Sequence, residues 1–221
     1  MNSRCIALIP AYNEAARVGD VVTKARPSVD QVVVIDDGSA DETSASAERA
    51  GAMVIRHPQN RGKGAAIVTA LGYFEHSDAE MAVFLDADGQ HDPLEILKLI
   101  EAAQREKADV VVGTRMGDVS PMPRLRLWTN RFTSWVTSKL SGQHIPDSQC
   151  GFRLLRRNVP KDLKLSTARF ETETEMLIQA GRTGHKIVSV PIRTIYETGR
   201  TSRIHPFRDT MRFFRLVLKY R

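Results

Sequence analysis

Short runs of β-branched and aliphatic residues alternate with stretches of helical spacing along most of this chain, and that alternation leaves few folds open. The runs are Ile6–Ile9, Val32–Ile35, Met53–Ile55, Ala82–Leu85 and Val110–Val112. Each is bounded by Gly, Pro, Asp or Asn, as buried strands are. Helix-start signals lie between them. Ser39 precedes Glu42 with capping-box spacing, and Asp92, Pro93 and Glu95 supply a cap, a first-turn proline and a second box. Alternating strand and helix predicts an α/β fold, a mostly parallel central sheet with helices on both faces. Val188–Ile192 reads as one more strand and Glu171–Ala180 as a helix.

With 221 residues and 42% hydrophobic content, the chain can bury one sizeable core, so a single domain over 1–221 is expected. The loop Met116–Pro123, with Gly117, Pro121 and Pro123, is the best boundary within it or a mobile segment. It would separate a first half, about 1–116, from a second, about 117–204, and an amphipathic helix over about 205–221 would close the chain. Cys5 and Cys150 lack C-x-x-C spacing, which points to neither a disulfide framework nor a zinc site and suggests a reducing, cytoplasmic setting. The first apolar run is too short for a signal peptide, and no segment approaches the roughly 20 apolar residues that span a bilayer. A soluble chain, or one peripheral to a membrane, is expected. The net charge of +6 favours phosphate-bearing partners. Nucleic acid is disfavoured as that partner, because aromatics are only 6% and no recognition motif accompanies the charge.

In parallel sheets ligands sit beyond the carboxyl ends of the strands. There this sequence has Pro10–Glu14 after the first run, Asp36–Ser39 after the second, and Asp86–Asp92 after the fourth. Asp86 and Asp88, one residue apart at a strand end, can share a hard divalent cation whose other positions are filled by phosphate oxygens. Gly38 lets backbone approach a ligand, and Lys63 between Gly62 and Gly64 offers a cation and amides to phosphate. Any one of these segments also reads as a turn. Three at successive strand ends read as a site.

Taken in order, Pro10–Glu14, Asp36–Ser39, Asn60–Gly64 and Asp86–His91 resemble the motif series of family-2 glycosyltransferases, which have the GT-A fold. Gly113–Arg115, Asp147–Arg153, Phe170–Glu175, Val190–Ile192 and Ser202–Ile204 are similar to the subgroup of dolichyl-phosphate mannosyltransferases and polyprenyl-phosphate glucosyltransferases. The resemblance implies an inverting, metal-dependent hexosyltransferase. The donor would be UDP- or GDP-linked glucose or mannose, the cofactor Mg2+ or Mn2+, and the acceptor a polyprenyl or dolichyl phosphate. By matched position, Pro10, Ala11, Tyr12, Glu14, Asp36, Asp37, Asp86 and Ala87 would surround the nucleotide, with Lys63 nearby. Asp86, Asp88 and Gln90 would hold the metal. Arg115, Arg131 and Arg203 would contact phosphate on donor or acceptor, and Asp88, Asp147 and Arg115 would form the catalytic set. His91 fits a supporting role better than that of a ligand. The Gln-x-x-Arg-Trp signature of processive polysaccharide synthases is absent.

Acceptor chemistry decides whether a base is needed. A phosphate monoester, with a second pKa of about 6, is mostly dianionic near pH 7 and attacks unaided. A sugar hydroxyl needs a general base, for which Asp147 is the first candidate and Glu173 and Glu175 follow. Leu125, Trp128, Phe132, Trp135 and Leu140 make Arg124–Leu140 an amphipathic helix. Phe207, Met211, Phe214 and Leu218, interleaved with Arg208, Arg212, Arg215 and Lys219, make the closing segment another. Such stripes either pack on the core or bring the site to a bilayer surface. The competing readings are a transferase with a soluble hydroxyl acceptor and a non-catalytic nucleotide-sugar binding protein. A dehydrogenase would need G-x-G-x-x-G after the first strand, and a phosphate-loop NTPase needs G-x-x-x-x-G-K-[ST]; neither occurs.

Overall fold

Apolar runs of four to seven residues, too short for stable helices and rich in Val and Ile, form the strands of a single sheet. The computed structural model describes residues 4–117, 122, 124–193, 195 and 206–221, with 206–209 described by backbone alone. Strand β1 (Cys5–Ala11) lies at its centre, paired in parallel with β2 (Gln31–Asp36) and β4 (Met81–Phe84). Beyond β2 comes β3 (Met53–Arg56), and the far side carries β5 (Val110–Thr114) and β7 (Ile187–Pro191), parallel to each other. Between β4 and β5 runs β6 (Arg153–Arg156), antiparallel to both, giving the order β3-β2-β1-β4-β6-β5-β7. The core is this sheet's interior: Ile6, Leu8, Ile9, Val33, Val34, Val83 and Val111 are all buried. At about 1.5–3 kcal/mol per fully buried aliphatic side chain, these strands supply much of the fold's driving force.

Helices α1 (Val18–Ala25), α2 (Thr43–Arg49), α3 (Lys63–His76) and α4 (Ile96–Arg105) connect the parallel strands. Then follow α5 (Arg124–Ser141), α6 (Glu171–Arg182) and α7 (Pro206–Lys219). Asp92 caps its turn, accepting from the Leu94 amide at 3.1 Å. The two capping boxes do not form. Helix α2 starts only at Thr43, because Ser39 and Thr43 spend their hydroxyls on the neighbouring loop, accepting from the Asn13 and Glu14 amides at 2.9 Å. The buried Glu95 carboxylate instead accepts from Lys98 and from the Arg193 amide. Most of the expected boundary loop, at 118–121 and 123, lies outside the described residues.

Strand β6 went unforeseen, since Arg153-Leu154-Leu155-Arg156 has no β-branched residue and is flanked by arginines. Leu154 and Leu155 are buried in the sheet, and Arg156 donates to the Ala108 and Ala103 carbonyls at the end of α4. Cys5 and Cys150 are both buried and free, and burial above all pushes their thiols up to about 12, leaving them inert.

A buried acid on α6 grips the end of the C-terminal helix. Glu175 accepts from Lys219 at 2.8 Å and Tyr220 at 3.0 Å, and from the Ser166 and Thr167 amides at 2.9 Å. Burial opposes the Glu175 charge, but these donors outweigh it and lower its pKa from 4.5 to about 2. A depressed folded-state pKa stabilises the protein above the unfolded value and is lost as pH falls through the folded one. Glu175→Gln is therefore expected to cost about 2–3 kcal/mol at neutral pH. The difference in melting temperature from wild type should close as pH drops from 4.5 toward 2; a gap constant over that window would refute the latch.

Candidate active site

The carboxyl ends of β1, β2, β4 and β5 face one edge of the sheet, and the antiparallel β6 begins at that same edge. Arg153 pairs in register with Phe84 of β4 and Val112 of β5, so the loop 147–152 sits between Asp86 and Arg115. Asp86 is the centre of the arrangement. Its Oδ1 lies 2.7 Å from Lys63 Nζ, which also reaches Glu173 Oε2 at 3.1 Å. His91 Nε2 stands 4.0 Å from the other Asp86 oxygen, its ring stacked on Phe152 at 5.6 Å. Gly151 closes against the same carboxylate, where a Cβ would come within 2.7 Å of Oδ2.

Electrostatics follow from this geometry. Burial works against the Asp86 charge, but Lys63 and then His91 outweigh it and hold the carboxyl below its ordinary range. Burial likewise opposes the Lys63 ammonium, yet Asp86 and Glu173 raise its pKa above the usual lysine value. His91 goes the other way, since burial lowers its pKa further than Asp86 can raise it, and its Nδ1 has no hydrogen-bond partner among the described residues.

Asp88 and Gln90 are half-buried beside Asp86, with the Gln90 amide donating to Asp88 Oδ1 at 3.0 Å. Among the described residues no three His, Cys, Asp or Glu side chains gather into a closed metal cage. Two carboxylates and an amide are nevertheless the hard oxygen set that Mg2+ or Mn2+ accepts when phosphate and water complete the shell. Asp86, Asp88 and Gln90 fit that open kind of site.

Asp147 does not fit the role of general base. It is wholly buried, and both oxygens are taken by Arg115, Nε to Oδ2 at 2.7 Å and Nη2 to Oδ1 at 2.8 Å, with the Arg115 amide adding a third bond at 3.1 Å. Burial alone would raise its pKa, but the hydrogen bonds and charge of Arg115 lower it instead. A buried carboxylate so paired anchors the arginine rather than accepting a proton. The two remaining candidates are also engaged, Glu173 with Lys63 and Glu175 with the C-terminal helix.

The nucleotide-side residues divide. Pro10 lines the pocket beside Lys63 and Asp86, Tyr12 is partly exposed, and Ala11, Glu14 and Ala87 are buried. Asp36 and Asp37 turn inward. Asp36 accepts from the Ser39 amide and Ser44 and lies 3.7 Å from Arg56 Nε, while Asp37 accepts from the Arg61 and Gly62 amides at 2.9 and 2.7 Å and meets His57 Nδ1 at 2.7 Å. Asp37 and the unanticipated His57 thus hold the loop that carries Lys63. Gly64 is required there for a different reason: a Cβ would lie 2.1 Å from Thr172 Oγ1 and 2.4 Å from the Ala168 carbonyl carbon. Arg131 is exposed on α5, apart from the Asp86 network, and Arg203 lies outside the described residues. Arg153, within the 147–153 motif, carries no catalytic signature in sequence, and its three hydrogen bonds to carbonyls build the site's floor.

The model of the family described as "Glycosyl transferase family 2" matches residues 6–163. The chain belongs to family 2 of the glycosyltransferases. This glycosyltransferase is 33% identical over 212 residues to the UDP-N-acetylglucosamine–dolichyl-phosphate N-acetylglucosaminyltransferase of Methanococcus voltae, spanning 86% of this chain and 84% of that one. It is 29% identical over 203 residues to the polyprenol monophosphomannose synthase of Mycolicibacterium smegmatis, spanning 86% and 76%. Among solved structures, glucosyl-3-phosphoglycerate synthase from Mycobacterium tuberculosis in complex with phosphoglyceric acid superposes with a TM-score of 0.75 at 20% identity. That match covers 99% of this chain and 80% of that one. The same enzyme in complex with Mn2+, UDP-glucose and glycerol 3-phosphate gives 0.70 at 20% identity, covering 98% and 78%. The GT-A fold of this glycosyltransferase is thereby shown.

Two substitutions test the anchoring roles. Asp147→Asn leaves Arg115 buried without its counter-charge and is expected to cost about 3–5 kcal/mol in urea unfolding; stability equal to wild type would rule out the anchor. Gly151→Ala is expected to displace the Asp86 carboxylate and weaken donor binding in calorimetry by about tenfold or more, with unfolding shifted by only about 1–3 kcal/mol. Unchanged donor affinity would show that Asp86 does not meet the donor.

Proposed function

We propose that this glycosyltransferase transfers a hexose, with inversion, from UDP- or GDP-linked glucose or mannose to the phosphate of a polyprenyl or dolichyl chain. The observation that carries the choice of acceptor is the commitment of the acids. Asp147, Glu173 and Glu175, the carboxylates a hydroxyl acceptor would draw on, are each paired within the protein. A phosphate dianion needs none of them. The relatives named for dolichyl phosphate and polyprenol support the same choice.

Asp86, Asp88 and Gln90 would hold Mg2+ or Mn2+, an assignment supported by a structural neighbour that binds Mn2+ with UDP-glucose. Bound there, the ion supplies Lewis-acid stabilisation of the departing diphosphate. Lys63, freed from one carboxylate as phosphate arrives, gives the diphosphate a second cation. Arg115, fixed by Asp147, presents its charge to the same space without reorganising. The buried His91, stacked on Phe152, stands beside Asp86. Pro10 and Tyr12 border the nucleoside, with Asp36 and Asp37 shaping the loops around it. Residues of about 1–116 would serve the donor and those of about 117–204 the acceptor, both built on one sheet. No helix among the described residues is long and apolar enough to cross a membrane; that the protein meets its lipid acceptor at the cytoplasmic surface is part of the proposal.

Incubation with radiolabelled nucleotide sugars, Mg2+ or Mn2+ and a short polyprenyl phosphate, followed by organic extraction, is expected to move label into the organic phase. Label confined to water while nucleotide is released would overturn the lipid acceptor. Asp88→Asn is expected to lower transfer on the order of 100-fold or more with melting unchanged. The pH profile separates the acceptor classes. With a phosphate acceptor, kcat/KM should rise to a plateau above about pH 6 as the dianion forms. The Asp147→Asn profile, measured below its melting temperature, should keep that midpoint; a shifted or vanished midpoint would restore Asp147 as a base.

A further inference from the structure

Helix α5 is turned inside out. Its buried side consists of Asn130, Thr133, Ser134, Thr137 and Ser141, while Leu125, Trp128, Phe132 and Trp135 are 80, 70, 48 and 60% exposed. The aromatic stripe read from the sequence as a core face or a bilayer face is therefore not a core face. Polar burial is tolerated because the hydroxyls are satisfied locally. Thr133 and Thr137 donate to carbonyls four residues back at 3.0 and 2.7 Å, and Ser134 accepts from the Ser148 amide at 2.9 Å. Small residues also let α5 sit close on α6, where a Cβ on Gly181 would fall 2.4 Å from the Ser141 carbonyl oxygen.

The geometry points to a docking surface for an anionic lipid bilayer, formed by the Leu125, Trp128, Phe132 and Trp135 face of α5. Charge complementarity selects this occupant. The helix carries Arg124, Arg126, Arg131 and Lys139, all exposed, and no acidic residue. A second copy docked face to face would set these cations against their equivalents, whereas anionic head groups would neutralise them. Trp128 and Trp135 suit the head-group boundary, where an indole buries its ring and keeps its N–H wet. The inference rests on the lipid-acceptor reading for placing the protein at a membrane, but its test uses neither donor nor acceptor, so the two can fail separately.

Trp128 and Trp135 are the chain's two tryptophans, so intrinsic tryptophan fluorescence reports this face and nothing else. Helix α7 exposes Met211, Phe214 and Leu218 but no tryptophan, and any lipid contact it makes is silent in that signal. The full chain is titrated with vesicles of phosphatidylcholine alone, or with phosphatidylglycerol added, with and without brominated acyl chains. Emission is expected to shift to the blue and be quenched by bromine on the phosphatidylglycerol vesicles, and to revert in high salt. Leu125→Glu/Phe132→Glu, altered only at exposed positions and checked by circular dichroism, is expected to partition at least about tenfold more weakly. Three results would overturn the proposal: no blue shift with anionic vesicles, vesicle binding without bromine quenching, or a concentration-dependent shift and dimerisation in the absence of lipid.

Discussion

The buried guanidinium of Arg153 is the contact on which the architecture of the site depends. Its three donors reach the carbonyls of Ser148, Cys150 and Glu173 at 2.7–2.8 Å. Through them one side chain ties the loop before β6 to the first turn of α6. Strand β6 can then enter the sheet against the direction of its neighbours and deliver Gly151 and Asp147 to the edge where Asp86 and Arg115 emerge. Without those carbonyl acceptors a buried arginine would be prohibitively costly; with them it becomes the strut between the loop before β6 and α6.

Around that strut the charges are arranged in pairs. Lys63 balances Asp86 and Glu173, Arg115 balances Asp147, and Lys219 balances Glu175. Such pairing keeps buried ions tolerable before any ligand arrives. It also divides the groups by function. The Arg115–Asp147 pair is sealed and bidentate, a fixed cation, whereas the Asp86 side chain keeps 25% of its surface open and can change partners.

How far the sequence revealed this depends on the kind of signal. Parallel strands were legible because Val32–Ile35 or Val110–Val112 are β-branched, punctuated runs, and the sheet type pointed to the edge where the candidate site lies. Strand β6 was not, because its two leucines sit between arginines whose burial depends on distant carbonyls. The side of α5 that faces inward was equally hidden: hydrophobic spacing identifies a stripe but not which way it points once Thr and Ser satisfy their hydroxyls within the helix. Asp86 and Lys63 were found by motif, their direct contact was not, and the part played by Asp37 emerges only when the Arg61 and Gly62 amides are seen to close on it. His57 carried no signal at all, being a lone histidine just past a strand.

Gly64 leaves no gap between the start of α3 and the segment 168–172. Backbone meets backbone there, so the loop that carries Lys63 and the approach to α6 form a single matched joint. Recombining one relative's front half with another's back half would break that joint unless 60–64 and 168–172 travelled together. Within this family, donor preference and acceptor preference should therefore be inherited less independently than a two-half architecture suggests.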